Sequence, residues 1–224
     1  MKILYNCIKC FCLLLLLVIA DTTIAQQPPF YEEIQQFKHE DSLNPPPQHA
    51  ILFAGSSSFR LWSDVQNYFP NHTIINRGFG GSSLTDVIRY ANDIIFPYHP
   101  KQIVIYCGEN DLAASDTVSA AKVVSRFVQL FTLIRSRLEK VPVLYISIKP
   151  SPSRMYLAAK MQEANKQIQL FLQQQKKAQF ADVYHSMLGA DDKPIPTIYK
   201  EDSLHMNASG YAIWQKIIEP YLVK

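Results

Sequence analysis

Four short segments of the chain carry side chains that could do chemistry together. Gly55-Ser56-Ser57-Ser58 sets hydroxyls beside a glycine, and Asn76-Arg77-Gly78-Phe79-Gly80-Gly81 offers closely spaced glycine amides. Gly108-Glu109-Asn110-Asp111 adds a side-chain amide, and Asp202-Ser203-Leu204-His205 places a carboxylate three residues before an imidazole. These are the groups that acyl transfer through a serine needs. The hydroxyl is a poor nucleophile at neutral pH until an imidazole takes its proton. A carboxylate must fix the imidazole tautomer and balance the imidazolium that forms. Preorganised donors must meet the developing oxyanion. On a tight loop Asp202 can reach Nδ1 of His205 and leave Nε2 for the serine. Only a neutral imidazole can act as base, so the rate should fall in acid.

The elements that must position these groups follow from the apolar pattern. Strand-length runs occur at Ala50–Ala54, Thr73–Ile75, Gln102–Cys107, Val141–Ile148 and Phe180–Tyr184. Helical patterns separate them, at about Leu84–Phe96, Val118–Leu138, Ser153–Gln175 and Ala208–Leu222. Runs that are apolar on both faces mark strands covered on both sides. Their alternation with helices predicts an α/β fold, a three-layer α/β/α sandwich around a parallel five-stranded sheet. In such a sheet ligands bind outside the carboxyl ends of the strands. The glycine-marked turns end the first three strands, so they should converge at one edge. Upstream, Phe30, Ile34 and Phe37 have helical spacing, and Asn44-Pro45-Pro46-Pro47 stops the helix. Residues 26–48 thus read as an accessory helix and Pro-rich linker, and 49–224 as the working domain.

These segments together resemble the SGNH hydrolases of the GDSL esterase/lipase superfamily. Four blocks stand in family order from about residue 49 onward: Phe53-Ala54-Gly55-Ser56-Ser57-Ser58, Asn76 to Gly81, Gly108 to Asp111, and Asp202 to His205. The resemblance puts the nucleophile at Ser57 and the acid and base at Asp202 and His205. It implies an oxyanion hole from the amides of Ser57 and Gly81 and the side chain of Asn110. It also implies a flavodoxin-like strand order 2-1-3-4-5. Ser56 stands where the family often has Asp, which is not the triad acid, so the mechanism survives the change.

Each residue also has a plainer reading. Ser57 can be a turn serine, Asn110 a turn former, and Gly81 a tight-turn glycine. His205 can be structural, and Asn207 reads as the N-cap of the last helix. Cys107, at the end of an apolar strand, reads as a buried small hydrophobe. Around the active edge, Lys149 and Arg154 are rim candidates for substrate contact, with Arg77 and Trp62 held more loosely. No His-Glu-x-x-His or Cys-x-x-Cys spacing calls for a metal, and no phosphate or dinucleotide loop calls for a cofactor, so none is expected.

Composition narrows the classes. The chain has 224 residues, 48% hydrophobic and 18% charged, which excludes a disordered chain. A net charge of +3 gives no electrostatic case for nucleic acid. Residues 1–25 read as a cleavable signal peptide: Lys2 and Lys9, an 11-residue apolar run from Cys10 to Ala20, then Thr23-Ile24-Ala25 before Gln26. That run is too short to span a bilayer, which takes about 20 residues. Cleavage would remove Cys7, Cys10 and Cys12, leaving Cys107 alone and no internal disulfide. It would leave 199 residues with 20 basic and 18 acidic side chains, a net +2. The expectation is a secreted or periplasmic serine ester hydrolase without stable membrane insertion. So short a domain leaves little chain for a lid or acyl tunnel, which favours short, acetyl-like acyl groups on carbohydrate or other small polar alcohols. The alternatives are a lysophospholipase or lipase-type acylhydrolase, acyl transfer to another alcohol, and a catalytically silent glycan-binding module.

Overall fold

A computed structural model describes residues 27–224. The expected signal peptide, 1–25, lies outside the described residues.

Five apolar runs become strands: β1 (Ile51–Gly55), β2 (Ile74–Gly78), β3 (Gln102–Tyr106), β4 (Val143–Ile146) and β5 (Ala178–Ala181). They form one parallel sheet in the order β2-β1-β3-β4-β5. All residues of β1, β3 and β4 are buried because helices cover both faces. Along the chain the helices are α1 (Tyr31–Leu43), α2 (Ser57–Arg60), α3 (Val65–Tyr68), α4 (Leu84–Arg89) and α5 (Ala91–Ile94). They continue as α6 (Glu109–Ala113), α7 (Ala120–Arg137), α8 (Ala158–Gln173) and α9 (Ala208–Ile218).

The period-2 alternation of the strands sorts the core into two layers. Leu52, Ala54, Ile103, Ile105 and Tyr145 face one way, toward side chains of α1, α4, α5, α7 and α8. Ile51, Phe53, Val104, Tyr106, Leu144 and Ile146 face the other way, toward α2, α3 and α9. In α7, Val123, Phe127, Leu130, Phe131 and Ile134 recur at helical spacing and are buried, and Ser119 caps the helix by accepting from the Lys122 amide. The three-layer α/β/α sandwich is the one expected.

Element boundaries differ from the sequence pattern where side chains override it. The helix expected over 84–96 breaks at Tyr90, which leaves helical geometry while its ring packs edge-on against Phe79 and its hydroxyl donates to Pro29 O. The helix expected from Ser153 starts as a 3₁₀ turn, Pro152–Leu157, and becomes α-helical only at Ala158. β5 lies earlier than Phe180–Tyr184: Lys177, at positive φ, turns the chain into pairing at Ala178, and the Asp182 carboxylate takes the Tyr184 amide just past the last paired residue. The last helix ends at Ile218, and Pro220 sits in a short 3₁₀ turn beyond it.

α1 is fastened at both ends. Ile34 is buried in the core. Near its start the Phe30 ring meets Phe79 edge-on, and Glu33 Oε2 accepts from the Gly80 amide at 2.8 Å. Near its end Asp41 takes the guanidinium of Arg77 and the hydroxyl of Tyr98. Burial, then the hydrogen bond to Asp41, pushes the Tyr98 pKa up to about 12, so the phenol keeps its proton.

Candidate active site

β1 ends at Gly55, whose φ of +152° is open only to glycine. A Cβ there would sit 1.9 Å from Tyr106 O on the neighbouring strand. This close passage lets the chain leave β1 and turn at once into α2, with Ser57 as its first residue. The turn after β2 is tied to the same point: Phe79 N donates to Gly55 O, as does the hydroxyl of buried Ser82. The turn after β3 joins them, because Asn110 Nδ2 donates to Ser82 O at 3.1 Å. Three strand ends are thereby laced into one edge.

The fourth segment arrives from the other direction. An isolated bridge, Tyr199 with Met206, closes the loop that holds Asp202 and His205. Asp202 Oδ1 accepts from the amides of Leu204 and His205, both at 2.9 Å, so the carboxylate shapes its own turn. Oδ2 then meets His205 Nδ1 at 2.6 Å. With the proton on Nδ1, Nε2 is left as acceptor for the Ser57 hydroxyl at 2.9 Å. Burial works to raise the Asp202 pKa, but the hydrogen bonds from the His205 ring and the two amides outweigh it and hold the carboxyl at about 2. Asn207 caps α9 directly behind the histidine, accepting from the Ser209 and Gly210 amides.

Ser57, Asp202 and His205 are thus brought into one hydrogen-bonded chain. Gly81 lies beside Asn110: a Cβ on Gly81 would stand 3.8 Å from Asn110 Nδ2. No hydrogen bond runs from the Ser57 or Gly81 amide to any of the described residues. Such an arrangement can move a proton from a hydroxyl to an imidazole beside free donors for an anionic oxygen.

The rim candidates fare differently. Trp62 is fully buried, stacked on Tyr211 at 4.7 Å, and is a core residue: α2 and the turn after it carry the indole inward. Lys149 is also no rim residue. Its side chain is 1% exposed, and its ammonium is held by Glu109 at 3.1 Å and by Leu204 O at 2.8 Å. Burial pulls its pKa below the ordinary lysine value, opposed by the charge of Glu109. Arg77 faces α1, lying over the Phe37 and Tyr98 rings and bound to Asp41, so it fastens the accessory helix instead of meeting substrate. Arg154 does reach the site, but through protein: its guanidinium donates to Asn110 Oδ1 at 3.0 Å and pairs with Glu109 at 3.3 Å.

A second pair shows what spacing alone is worth. Asp182 and His185 are also three residues apart and also meet at 2.6 Å. Among the described residues no serine hydroxyl meets the Nε2 of that exposed histidine. Sequence reasoning also passed over Glu109, the variable position of Gly-x-Asn-Asp. Its buried carboxylate accepts from the Tyr106 hydroxyl at 2.6 Å besides its two cations. No group of three or more metal-ligating side chains occurs among the described residues.

A family model for the GDSL-like lipase/acylhydrolase family matches residues 49–213. The chain belongs to that family, and it is a carboxylic ester hydrolase. No curated protein sequence matches it. Among solved structures, one provisionally described as a platelet activating factor from Streptococcus pneumonia aligns with TM-score 0.74 at 21% identity, over 86% of this chain and 92% of that one. A GDSL-like lipase from Bacteroides thetaiotaomicron aligns at 0.71 and 22%, over 84% and 96%. A variant of an acetyl xylan esterase from Geobacillus stearothermophilus aligns at 0.61 and 11%, over 80% and 99%. At these identities the structures share the fold.

Proposed function

We propose that the protein is a secreted serine ester hydrolase that removes short, acetyl-like acyl groups from carbohydrate or other small polar alcohols. The observation that carries the mechanism is the unbroken chain Asp202–His205–Ser57, at 2.6 and 2.9 Å. Ser57 Oγ attacks the ester carbonyl as His205 Nε2 takes its proton. Asp202 holds the Nδ1–H tautomer and balances the imidazolium. The amides of Ser57 and Gly81 and the Asn110 side chain receive the oxyanion. The protonated His205 returns its proton to the leaving alcohol. A water deprotonated by the same nitrogen then releases the acid and restores Ser57.

One observation favours the small polar alcohol. The first three strand ends connect to the next helix through short segments, which leaves little chain there for a lid.

Ser57→Ala is the deciding test. Its hydrolysis of nitrophenyl acetate and acetylated xylan should fall by several orders of magnitude, about 10⁶ by analogy with a protease triad. Wild-type turnover in that variant would end the assignment. Across nitrophenyl esters of increasing acyl length, the wild-type rate should be highest at acetate. A maximum at long chains would favour the lipase reading.

A further inference from the structure

Glu109 and Lys149, both buried, and Arg154, partly exposed, form an ionic cluster beside the Asn110 amide, and nothing in the proton relay uses them. The Glu109 carboxylate is 5% exposed and binds the Lys149 ammonium, the Arg154 guanidinium and the Tyr106 hydroxyl. Two cations thus face one carboxylate. A buried pair of this kind gains little stability over apolar residues of the same volume, so stability alone is a weak reason for it.

The remaining contacts of the cluster lead to the site. Lys149 donates its other hydrogen bond to Leu204 O, the residue before His205. Arg154 sits at a kink, with φ −121° and ψ 21° inside the 3₁₀ turn, and from there reaches Asn110 Oδ1. An asparagine amide has two faces of opposite polarity, and a flip would point oxygen at a developing anion. A guanidinium on Oδ1 forbids the flip, because that position accepts only an acceptor. One Nδ2 hydrogen is spent on Ser82 O, and the other is left for the oxyanion. The guanidinium also draws electron density toward Oδ1 and makes the remaining N–H a stronger donor.

Resting on the ester-hydrolase reading above, we propose that Arg154, anchored by the buried Glu109–Lys149 pair, is a positioning residue that fixes the Asn110 amide as an oxyanion donor. It acts through Asn110 and does not touch substrate.

A double-mutant cycle tests this with nitrophenyl acetate. Asn110→Ala should lower kcat about 10²–10³-fold. Arg154→Met should lower kcat about 10- to 100-fold with KM within about threefold, the scale of a misplaced catalytic group. In the Asn110→Ala background the same Arg154→Met change should cost less than about threefold, since the amide it serves is gone. A merely structural arginine would cost as much in either background. Equal losses in both backgrounds, wild-type kcat in Arg154→Met, or wild-type kcat in Asn110→Ala would each overturn the proposal. Should Arg154→Met fail to fold, Arg154→Lys carries the same cycle, because it keeps a cation but loses the planar fork. Ser57→Ala, run beside it, separates the two readings: an inert Ser57→Ala with an additive cycle sinks the positioning role alone, and an active one sinks the triad.

Discussion

Asp202 accepts from three donors through two oxygens, and this fixes both its geometry and its charge. With its pKa held at about 2, the carboxylate is ionised at every pH where an esterase is assayed. A decline in rate on the acid side above pH ~4 therefore does not come from protonation of Asp202. The same depression has a stability consequence. A free aspartate titrates near ~3.9. A carboxyl lowered on folding adds stability above that value and loses it as pH falls through the folded one. The extra stability of wild type over Asp202→Asn should therefore be full above pH ~4 and shrink toward pH ~2. Urea midpoints of the two proteins from pH 6 to 2 measure it, and a constant gap would refute it. Asp202→Asn should also lose activity at neutral pH, by about 10⁴ if it behaves as a protease triad does.

At the scale of elements, the short glycine turn after β2 depends on α1. Gly80 has φ +26°, and a Cβ there would strike the Phe30 ring at 2.4 Å, so the loop and the start of α1 interlock. Glu33 completes the contact by accepting from the Gly80 amide, one residue before Gly81. Glu33→Ala should cost about 1.5–3 kcal/mol, the usual range for a hydrogen bond to a charged group. That corresponds to a loss of several degrees in Tm at roughly 2–4 °C per kcal/mol. It should lower kcat along with stability, while Glu33→Gln, which keeps a carbonyl acceptor, should restore most of both. Melting curves and steady-state kinetics on the pair decide it, and wild-type values in Glu33→Ala would show that α1 is a passenger. This dependence was not legible in the sequence, where 26–48 reads only as an accessory helix. The strand-end turns were legible, because a glycine after a buried strand has few other uses. So was the Asp202–His205 turn, since an Asx turn needs no distant partner. The cluster beside Asn110 was not: Glu109 and Lys149 are 40 residues apart, and nothing local to either names the other. Trp62 and Lys149 were misplaced at the rim because position along the chain fixes the edge but not which way a side chain turns.

At the scale of the whole molecule, the described residues hold together without a covalent brace. Cys107 is the free cysteine among them, fully buried, with its thiol 3.5 Å from Ser82 O. Burial, with the charge of Asp111 adding to it, pushes that thiol well above the ordinary cysteine pKa, which makes it inert as a nucleophile. The two core layers must therefore supply the stability, and they enclose most of the large apolar side chains among the described residues. The other three cysteines all fall within residues 1–25. The proposed cleavage before Gln26 would change the thiol count of the protein from four to one. We expect the protein recovered from the exported fraction to begin at Gln26 by intact mass. Under denaturing, non-reducing conditions it should titrate a single thiol, and the folded protein should titrate almost none because Cys107 is shielded. An unprocessed chain would carry four cysteines and a heavier mass, and finding that form as the active species would refute cleavage. A processed chain beginning after Asp41 would bear on α1 instead: it lacks Phe30, Glu33 and Asp41, and by the contacts at Gly80 and Arg77 it should be both less stable and less active.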